Sequence, residues 1–392
     1  MNNFLIVGAV QALFLALLVL SKQKKALADY LLVGWFLVSA AHIFFFYTSL
    51  HQSLTHNQRW LIMGTGLPFL QGATLFFYVN ALIKPRLHWF IYLLHLSPFV
   101  IYTISFIVYQ QLYPQAYEVL DGTLLVQQKL PWLMWHHGVF KAIAGIGYIM
   151  WSLFILVRYQ LELPRHYSFQ EKINLNWLKY WLITTLGMAL ITVGVIVLGA
   201  DLKFLQISTT YQIVAILFLL LIFVMGFFGF RQTSILVDKR LPAGNEQEAK
   251  QAKEAQIKKE QIKKENTVKY QNSGLTDRQA AIYQQQLLHY METHQPYLAS
   301  KLTLVQLATQ LDMSTHHLSQ IMNEQLGKNF FEFINHYRVE TIKEKLQNPK
   351  FTHYTLLGIA LESGFNSKTS FNTVFKKITG MTPSQYQKSL DK

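Results

Sequence analysis

Seven apolar segments, each long enough to cross a membrane, follow one another in the first 230 residues and constrain this chain most. A helix needs about 17–25 mostly apolar residues to cross the hydrocarbon core of a bilayer. Tyr or Trp, which favour the membrane interface, begins five of the seven segments. The sequence therefore predicts a bundle of seven transmembrane helices at Phe4–Leu20, Tyr30–Leu50, Trp60–Ile83, Trp89–Val108, Trp132–Val157, Trp177–Leu198 and Ile207–Phe230.

The composition agrees with a membrane domain and excludes several kinds of site. Charged residues make up 14% of the 392 residues, whereas a soluble domain carries about 25%. Buried helices of a large soluble protein, the alternative, would require amphipathic faces and far more charge. The absence of cysteine excludes disulfides, thiolate zinc sites and cysteine nucleophiles. The net charge of +14 divides into +7 for residues 1–230, +4 for 231–275 and +3 for 276–392, so no block indicates nucleic-acid binding by charge alone.

The basic residues between the segments predict the orientation. Gaps on the side of the carboxyl terminus carry eleven Lys and Arg residues, and those on the opposite side carry three. The positive-inside rule therefore places the carboxyl terminus in the cytoplasm and the amino terminus outside. The first segment is not expected to be a cleaved signal, because its positive charges, Lys22, Lys24 and Lys25, follow it instead of preceding it.

Residues 231–275 form a charged connector between the membrane segments and the rest of the chain. Residues 246–265 are almost entirely Glu, Gln, Lys and Ala, and Glu precedes Lys by four positions three times. This spacing favours a solvated helix, which would extend about 30 Å. A semi-rigid spacer is the preferred interpretation, and a dimerising coiled coil is the alternative.

Residues 276–392 contain an internal repeat. Each copy predicts a helix, a tight turn and a second helix, with small and apolar residues where the two helices would cross. The copies are 52 or 53 residues apart. Their matching pairs are Leu307/Ile359, Ala308/Ala360, Ser314/Ser367, Leu318/Phe371, Met322/Phe375 and Gly327/Gly380.

The repeat predicts two helix-turn-helix units, whose second helices would lie in the DNA major groove. Gly364 suits the left-handed residue of the second turn. A helical hairpin without a DNA partner is the alternative. The predicted helices are Leu304–Leu311 after Thr303, a helix capped by Ser314 that ends before Gly327, a long central helix Phe330–Gln347, Leu356–Ser363, and a helix from Ser367 to Thr379.

Further motif residues extend the repeat: Leu307-Ala308, Met313-Ser314, Leu318-Ser319, Gly327, Phe333, Arg338, Ile359-Ala360, Gly364-Phe365-Asn366-Ser367, Phe371, Phe375-Lys376-Lys377, Gly380, Thr382-Pro383-Ser384 and Tyr386. With them, residues 276–392 resemble the DNA-binding domain of AraC/XylS-type transcriptional regulators. The resemblance implies a membrane-tethered member in which seven membrane helices replace the family's soluble sugar-binding domain. Gln320, Thr373 and Gln387 stand where the family often has Arg, which implies a different target sequence.

The exposed side chains of the two second helices are the candidate DNA contacts. Asn and Gln can read adenine with two hydrogen bonds, and lysines contact phosphates without reading sequence. A generic solvated face is the alternative. The candidate set is Thr315, His316, Ser319, Gln320 and Asn323 in the first copy, and Lys368, Thr369, Asn372, Thr373, Lys376 and Lys377 in the second, with Lys328 as a further phosphate contact.

Lys141 is the candidate centre of a sensing site, because it lies nine residues into the predicted helix Trp132–Val157. A lysine deep in a membrane needs a partner. That partner could be a carbonyl or hydroxyl, a gap carboxylate such as Glu118 or Asp121, or a bound anion. One hypothesis is an outward-open pocket for an acidic or amphiphilic ligand; a lysine that snorkels or stays neutral is the alternative. The pocket would comprise Lys141, His136, His137, Trp132 and Trp135.

The sequence as a whole predicts an all-α protein, a seven-helix transmembrane bundle followed by a cytoplasmic domain with two helix-turn-helix units. The predicted function is that of a one-component transcriptional regulator in the inner (cytoplasmic) membrane of a bacterium, without enzyme activity, metal or cofactor. A seven-helix receptor or transporter with a protein-interaction tail is the alternative. The expected partners are promoter DNA and the lipid bilayer, and further candidates are RNA polymerase, a small-molecule or membrane signal, and a second copy of the chain.

Overall fold

The computed structural model describes residues 3–50, 58–83, 87–112, 117–120, 123–126, 137–171, 173–196, 207–231 and 275–390. These ranges form α-helices and one β-hairpin. The chain divides into two compact units. The first comprises residues 1–157 and 175–243, and the second comprises residues 158–174 and 244–392, so the second unit includes a short segment from the amino-terminal half.

Among the described residues before 232, seven long apolar helices occur, and each overlaps one predicted segment. Five of them contain described stretches long and apolar enough to cross a membrane, and α1 and α7 contain shorter apolar stretches, Leu5–Leu20 and Ile216–Phe230. The helices are α1 (Asn3–Leu20), α2 (Leu27–Leu50), α3 (Gln58–Ile83), α4 (Trp89–Leu112), α5 (His137–His166), α6 (Asn176–Ile196) and α7 (Ile207–Arg231).

Small residues bring α1 and α7 close together. A Cβ atom on Gly8 of α1 would collide with Leu219 of α7, and one on Gly226 of α7 would contact Leu15 of α1. Close approach at glycine is typical of helices that pack inside a membrane. Lys22, in the loop after α1, donates to the carboxylate of Asp29 at 2.8 Å and to the α7 carbonyl of Gly229 at 3.1 Å. These contacts hold the ends of α1, α2 and α7 together.

The described residues are almost entirely helical, in agreement with the predicted all-α class. One short element is added, because Tyr117–Leu120 pairs in antiparallel fashion with Thr123–Val126. Pairing satisfies backbone groups that a polar gap would leave to water. The predicted helix Trp132–Val157 needs one correction, because α5 does not end at Val157 but continues to His166. The added residues Arg158–Leu163 mostly favour helices, and Pro164 lies only in the last turn. The described part of α5 begins at His137, since residues 131–136 lie outside the described residues.

The second unit contains seven α-helices among its described residues. The helix bounds agree with the sequence prediction to within one residue for the central helix and for both first helices of the repeat. The helices are α8 (Asp277–His294), α9 (Leu304–Gln310), α10 (Thr315–Gln320), α11 (Phe330–Gln347), α12 (Leu356–Glu362), α13 (Lys368–Thr379) and α14 (Pro383–Leu390). The predicted connector helix at residues 246–265 lies outside the described residues.

Helix α11 contributes to both hydrophobic cores of the second unit. Its first half packs with α8, α9 and α10 through Phe330, Phe333 and Ile334. Its second half packs with α12 and α13 through Val339 and Ile342. The two helix-turn-helix units therefore share one rigid helix, which fixes their separation within this unit.

Candidate nucleic-acid interface

The two turns of the repeat have the same backbone geometry. The first turn contains Asp312 (φ +50°) and the second contains Gly364 (φ +94°), and both residues are left-handed. Directly after them, the amide of Met313 donates to the carbonyl of Ala308 at 3.0 Å, and that of Phe365 donates to the carbonyl of Ala360 at 3.0 Å. The structure therefore contains two equivalent helix-turn-helix units.

Serine side chains begin both second helices, as the sequence predicts. The hydroxyl of Ser314 accepts a hydrogen bond from the amide of His317 at 3.1 Å, and that of Ser367 accepts from the amide of Ser370 at 3.1 Å. Each cap satisfies a backbone donor that the first helical turn leaves without a partner. The first helix-turn-helix unit differs from the second after Gln320, because α10 continues as a π-helical turn over Ile321–Gln325.

The apolar faces of these helices are buried, which leaves the candidate DNA contacts on the opposite side. The buried residues are Leu318 and Met322 in the first copy and Phe371 and Phe375 in the second. Ser319 and Gln320 are half-buried. The exposed candidates are Thr315, His316 and Asn323 in the first copy and Lys368, Thr369, Asn372, Thr373, Lys376 and Lys377 in the second.

Two amide side chains of the first copy are held by neighbours on the same helix. Gln320 donates to the carboxylate of Glu324 at 2.9 Å, and Asn323 donates to the hydroxyl of Ser319 at 3.3 Å. Glu324 is exposed beside the candidate residues and was not among the sequence-derived candidates. A carboxylate at this place can accept a hydrogen bond from the amino group of cytosine. Glu324 follows the predicted contact Gln320 by four residues, and this spacing was the sequence signal that could have indicated Glu324.

The second helices of the two helix-turn-helix units, called here the recognition helices, differ in charge. Residues 315–325 include one acidic residue and no Lys or Arg, whereas residues 368–379 include three lysines and no acidic residue. Lys377 forms an exposed ion pair with Glu332 of α11 at 3.0 Å, and exposed pairs of this kind contribute little to stability. The second copy therefore carries the greater positive charge, which suits contact with a phosphate backbone.

A surface groove lies between α13 and the beginning of α14. Thr382 and Gln385 form a capping box, in which the amide of Gln385 donates to the Thr382 hydroxyl and the amide of Thr382 donates to the Gln385 side chain. The positive end of α14 thus lies beside the lysines of α13, a combination that suits a phosphate group. The groove is lined by Asn372, Thr373, Lys376, Lys377, Thr382, Pro383 and Ser384.

Lys141, the centre of the candidate sensing site, lies in the first compact unit. The amine of Lys141 donates to the backbone carbonyl of Thr65 at 3.3 Å and lies 5.8 Å from the centre of the Tyr102 ring. A carbonyl is one of the partners that the sequence left open for this lysine. His137 is the first described residue of α5, and Trp132, Trp135 and His136 lie outside the described residues.

Comparison with known proteins identifies the carboxyl-terminal part of the chain. Residues 307–389 match the family model described as a helix-turn-helix domain. This part of the chain is a helix-turn-helix domain. The matched residues begin in α9 and end in α14, so they include both helix-turn-helix units and the central helix between them.

Relatives of this domain occur in bacteria. An uncharacterized HTH-type transcriptional regulator of Staphylococcus aureus (strain COL) is 37% identical over 102 residues, which cover 26% of this chain and 13% of the relative. The HTH-type regulator YtdP of Bacillus subtilis (strain 168) is 31% identical over 88 residues, 22% of this chain and 11% of YtdP. The chain thus spans only about an eighth of the length of these curated relatives.

One solved structure is also similar in sequence to this chain. It is a protein of unknown function from Listeria innocua with 31% identity, and the similarity covers 26% of this chain and 93% of that one, with a TM-score of 0.24.

Proposed function

We propose that this chain is a one-component transcriptional regulator held in the cytoplasmic membrane, with its helix-turn-helix domain in the cytoplasm. The observation that supports this function most strongly is the doubled helix-turn-helix unit, whose recognition helices leave short polar side chains and lysines exposed. Asn372 supplies sequence readout, and Lys376 with the beginning of α14 supplies a phosphate contact. The names of the Staphylococcus and Bacillus relatives, HTH-type transcriptional regulators, favour the same function.

The proposed membrane anchor consists of seven helices, α1 to α7. Its support comes from the five described stretches of spanning length and from the apolar surfaces of the helices. Trp89, Leu93 and Ile101 of α4 are each more than half exposed. Apolar surface of this extent is costly in water and is favourable in lipid. The excess of basic residues on one side supports a cytoplasmic carboxyl terminus.

The proposed sensing site is centred on Lys141, with His136, His137 and Trp135 as further contributors. Among the described residues, the contacts of Lys141 are a carbonyl and an aromatic ring, and neither carries a formal charge that cancels its own. A cationic amine inside a membrane bundle favours a negatively charged partner. We therefore propose an acidic or amphiphilic ligand as the signal, which would act on the domain through the membrane helices.

DNA selection by the full chain tests the proposed function. The chain, reconstituted in lipid nanodiscs, is incubated with random-sequence duplexes, and the retained DNA is sequenced at several salt concentrations. We expect enrichment of a motif with two boxes about one helical turn apart, and affinity that falls steeply with salt. If no sequence were enriched and no salt-dependent retention occurred, the tail would instead be a protein-interaction module.

A further inference from the structure

Residues 158–174, the end of α5 and the loop before α6, are part of the second unit. Their contacts therefore describe how a segment next to the membrane helices packs on the helix-turn-helix domain. Ser168 and Phe169 of this loop are buried. Tyr167 forms an isolated antiparallel bridge with Thr303, the residue that caps α9.

Ser168 has a hydrogen-bond partner for each of its polar groups, and all of these partners belong to the helix-turn-helix domain. Its amide and its hydroxyl both donate to the carbonyl of Leu302, at 3.2 and 2.7 Å. Its carbonyl accepts from the side chains of Asn335 (3.1 Å) and Arg338 (3.0 Å). Its hydroxyl also accepts from Arg338 at 3.1 Å. We call Leu302, Asn335 and Arg338 the Ser168 socket.

Arg338 is the largest fully buried side chain of the protein's described residues, with 1% of its surface exposed. Its guanidinium makes five hydrogen bonds, two to Ser168 and the others to the carbonyls of Tyr297 and Ala299 and to the side chain of Asn335. Burial lowers the pKa of Arg338 to about 9, which leaves it protonated at neutral pH. Without Ser168, two donors of a buried cation would lose their acceptors, which is unfavourable.

The socket lies where the two helix-turn-helix units meet. Tyr297 and Ala299 precede α9 of the first unit, and Arg338 lies on the shared helix α11. In the second helix-turn-helix unit, a Cβ atom on Gly364 would collide with the carbonyl of Tyr297 and lie 2.8 Å from Nε of Arg338. Arg338 therefore ties the first unit, α11 and the second turn together, and Ser168 completes its hydrogen bonding.

The loop is tied to α5. The hydroxyl of Tyr159 donates to the carbonyl of Ile173 at 2.8 Å, and the side chain of Gln160 donates to the carbonyl of Asn174 at 2.6 Å. Helix α5 is continuous from His137 to His166, and it also contains Lys141. A displacement of α5 along its axis would therefore move Ser168.

We propose that the helix-turn-helix domain has a built receptor site for its own chain, the Ser168 socket, and that its occupant, Tyr167–Phe169, controls DNA affinity. With Ser168 docked, the two helix-turn-helix units are held in the arrangement that binds DNA. Withdrawal of Ser168 removes two of the five acceptors of Arg338 and one acceptor of Asn335, and it loosens that arrangement. The part of this inference that concerns DNA rests on the proposed function. The route runs through α5 and the loop before α6.

A disulfide between the loop and the domain tests docking without any DNA. Because the native chain has no cysteine, the variant Tyr167→Cys/Thr303→Cys contains a single pair, and directly paired strand residues have a suitable spacing. A protease site is inserted in the connector of the full chain in membranes. After mild oxidation and cleavage, we expect the two fragments to stay joined until a reductant is added. Each single-cysteine variant should separate without reductant. Separation of the double variant would overturn the proposed docking.

The same nanodisc preparations then test control of DNA affinity. With DNA chosen by the selection experiment, Ser168→Leu should weaken binding about tenfold, and Ser168→Ala, which keeps the backbone carbonyl, should weaken it by less. Arg165→Leu, an exposed change three residues away, serves as the matched control and should have no effect. If Ser168→Leu bound DNA with the affinity of the native chain, the proposal that Tyr167–Phe169 controls DNA affinity would be wrong. The proposed function would still stand. If the native chain selected no DNA, the proposed function and this control would both fail, and the disulfide would still decide docking.

Discussion

Asp312 and Gly364 lie 52 residues apart at equivalent positions of the two turns, and both have left-handed backbones, with φ of +50° and +94°. Their surroundings differ. Asp312 is exposed, whereas Gly364 is buried, with no room for a Cβ atom beside the carbonyl of Tyr297. The first turn therefore tolerates a side chain at this position, and the second turn requires glycine.

This difference predicts opposite sensitivities to substitution. Gly364→Ala should lower the free energy of unfolding of the helix-turn-helix domain by more than about 2 kcal/mol, because it combines a disfavoured φ with a collision. Asp312→Gly, the matched change, should alter it by less than about 1 kcal/mol. Hydrogen exchange in the solubilised full chain measures both, on the α12 and α13 amides for Gly364→Ala and on the α9 and α10 amides for Asp312→Gly. Equal protection in Gly364→Ala and the native chain would contradict the described packing.

Base readout and phosphate contact should be separable within α13. Asn372→Ala should relax base preference at one position of the selected motif, at a cost of about 1–3 kcal/mol. Lys376→Ala should weaken binding to every sequence and lower the salt dependence by about one ion. Binding titrations on selected and random duplexes measure both effects. If the two variants behaved alike on both kinds of DNA, the assigned recognition face would be wrong.

The proposed topology predicts where a reporter enzyme is active. A reporter that works only in the cytoplasm should be active when fused after Arg240 and silent when placed between Gln111 and Pro131. Reporter activity in whole cells, normalised to the amount of fusion protein, measures this difference. The reverse pattern would exclude the proposed function, because DNA is accessible only from the cytoplasm.

The sensing proposal predicts a selective loss of response. Lys141→Met keeps the length of the side chain and removes its charge, so it should abolish the transcriptional response and leave membrane insertion and DNA binding unchanged. A promoter fusion measures the response, and membrane fractionation and the nanodisc assay measure the other two properties. A fully responsive Lys141→Met variant would remove the anion site from consideration.

Local sequence signals predicted much of the second unit. The bounds of α11, Phe330–Gln347, agree with the prediction because Asn348-Pro349 ends the helix. Ser314 and Ser367 cap the second helices as expected. The paired strands Tyr117–Leu120 and Thr123–Val126 also had a local signal in the sequence, Asp121-Gly122 between two stretches of β-forming residues.

Other features depend on contacts that no local pattern encodes. Ser168 lies 134 residues from Leu302 and 170 residues from Arg338, so no spacing or motif in the sequence connects them. The π-helical turn at Ile321–Gln325 could not be predicted from the sequence either, since its residues also suit an α-helix. Gln320 was expected to be free to read a base, and only the structure shows that Glu324 accepts its hydrogen bond.

Genome-wide mapping of bound DNA tests the central claim, regulation of promoters by a chain that stays in the membrane. DNA is crosslinked in living cells, recovered with the full-length chain from the membrane fraction and sequenced, with cells that lack the chain and cells with Lys376→Ala as controls. We predict a small set of discrete sites, each with two boxes about one helical turn apart. These sites should be absent without the chain and weaker with Lys376→Ala. The same profile in cells with and without the chain, or sites recovered only with a shortened soluble fragment, would contradict this account.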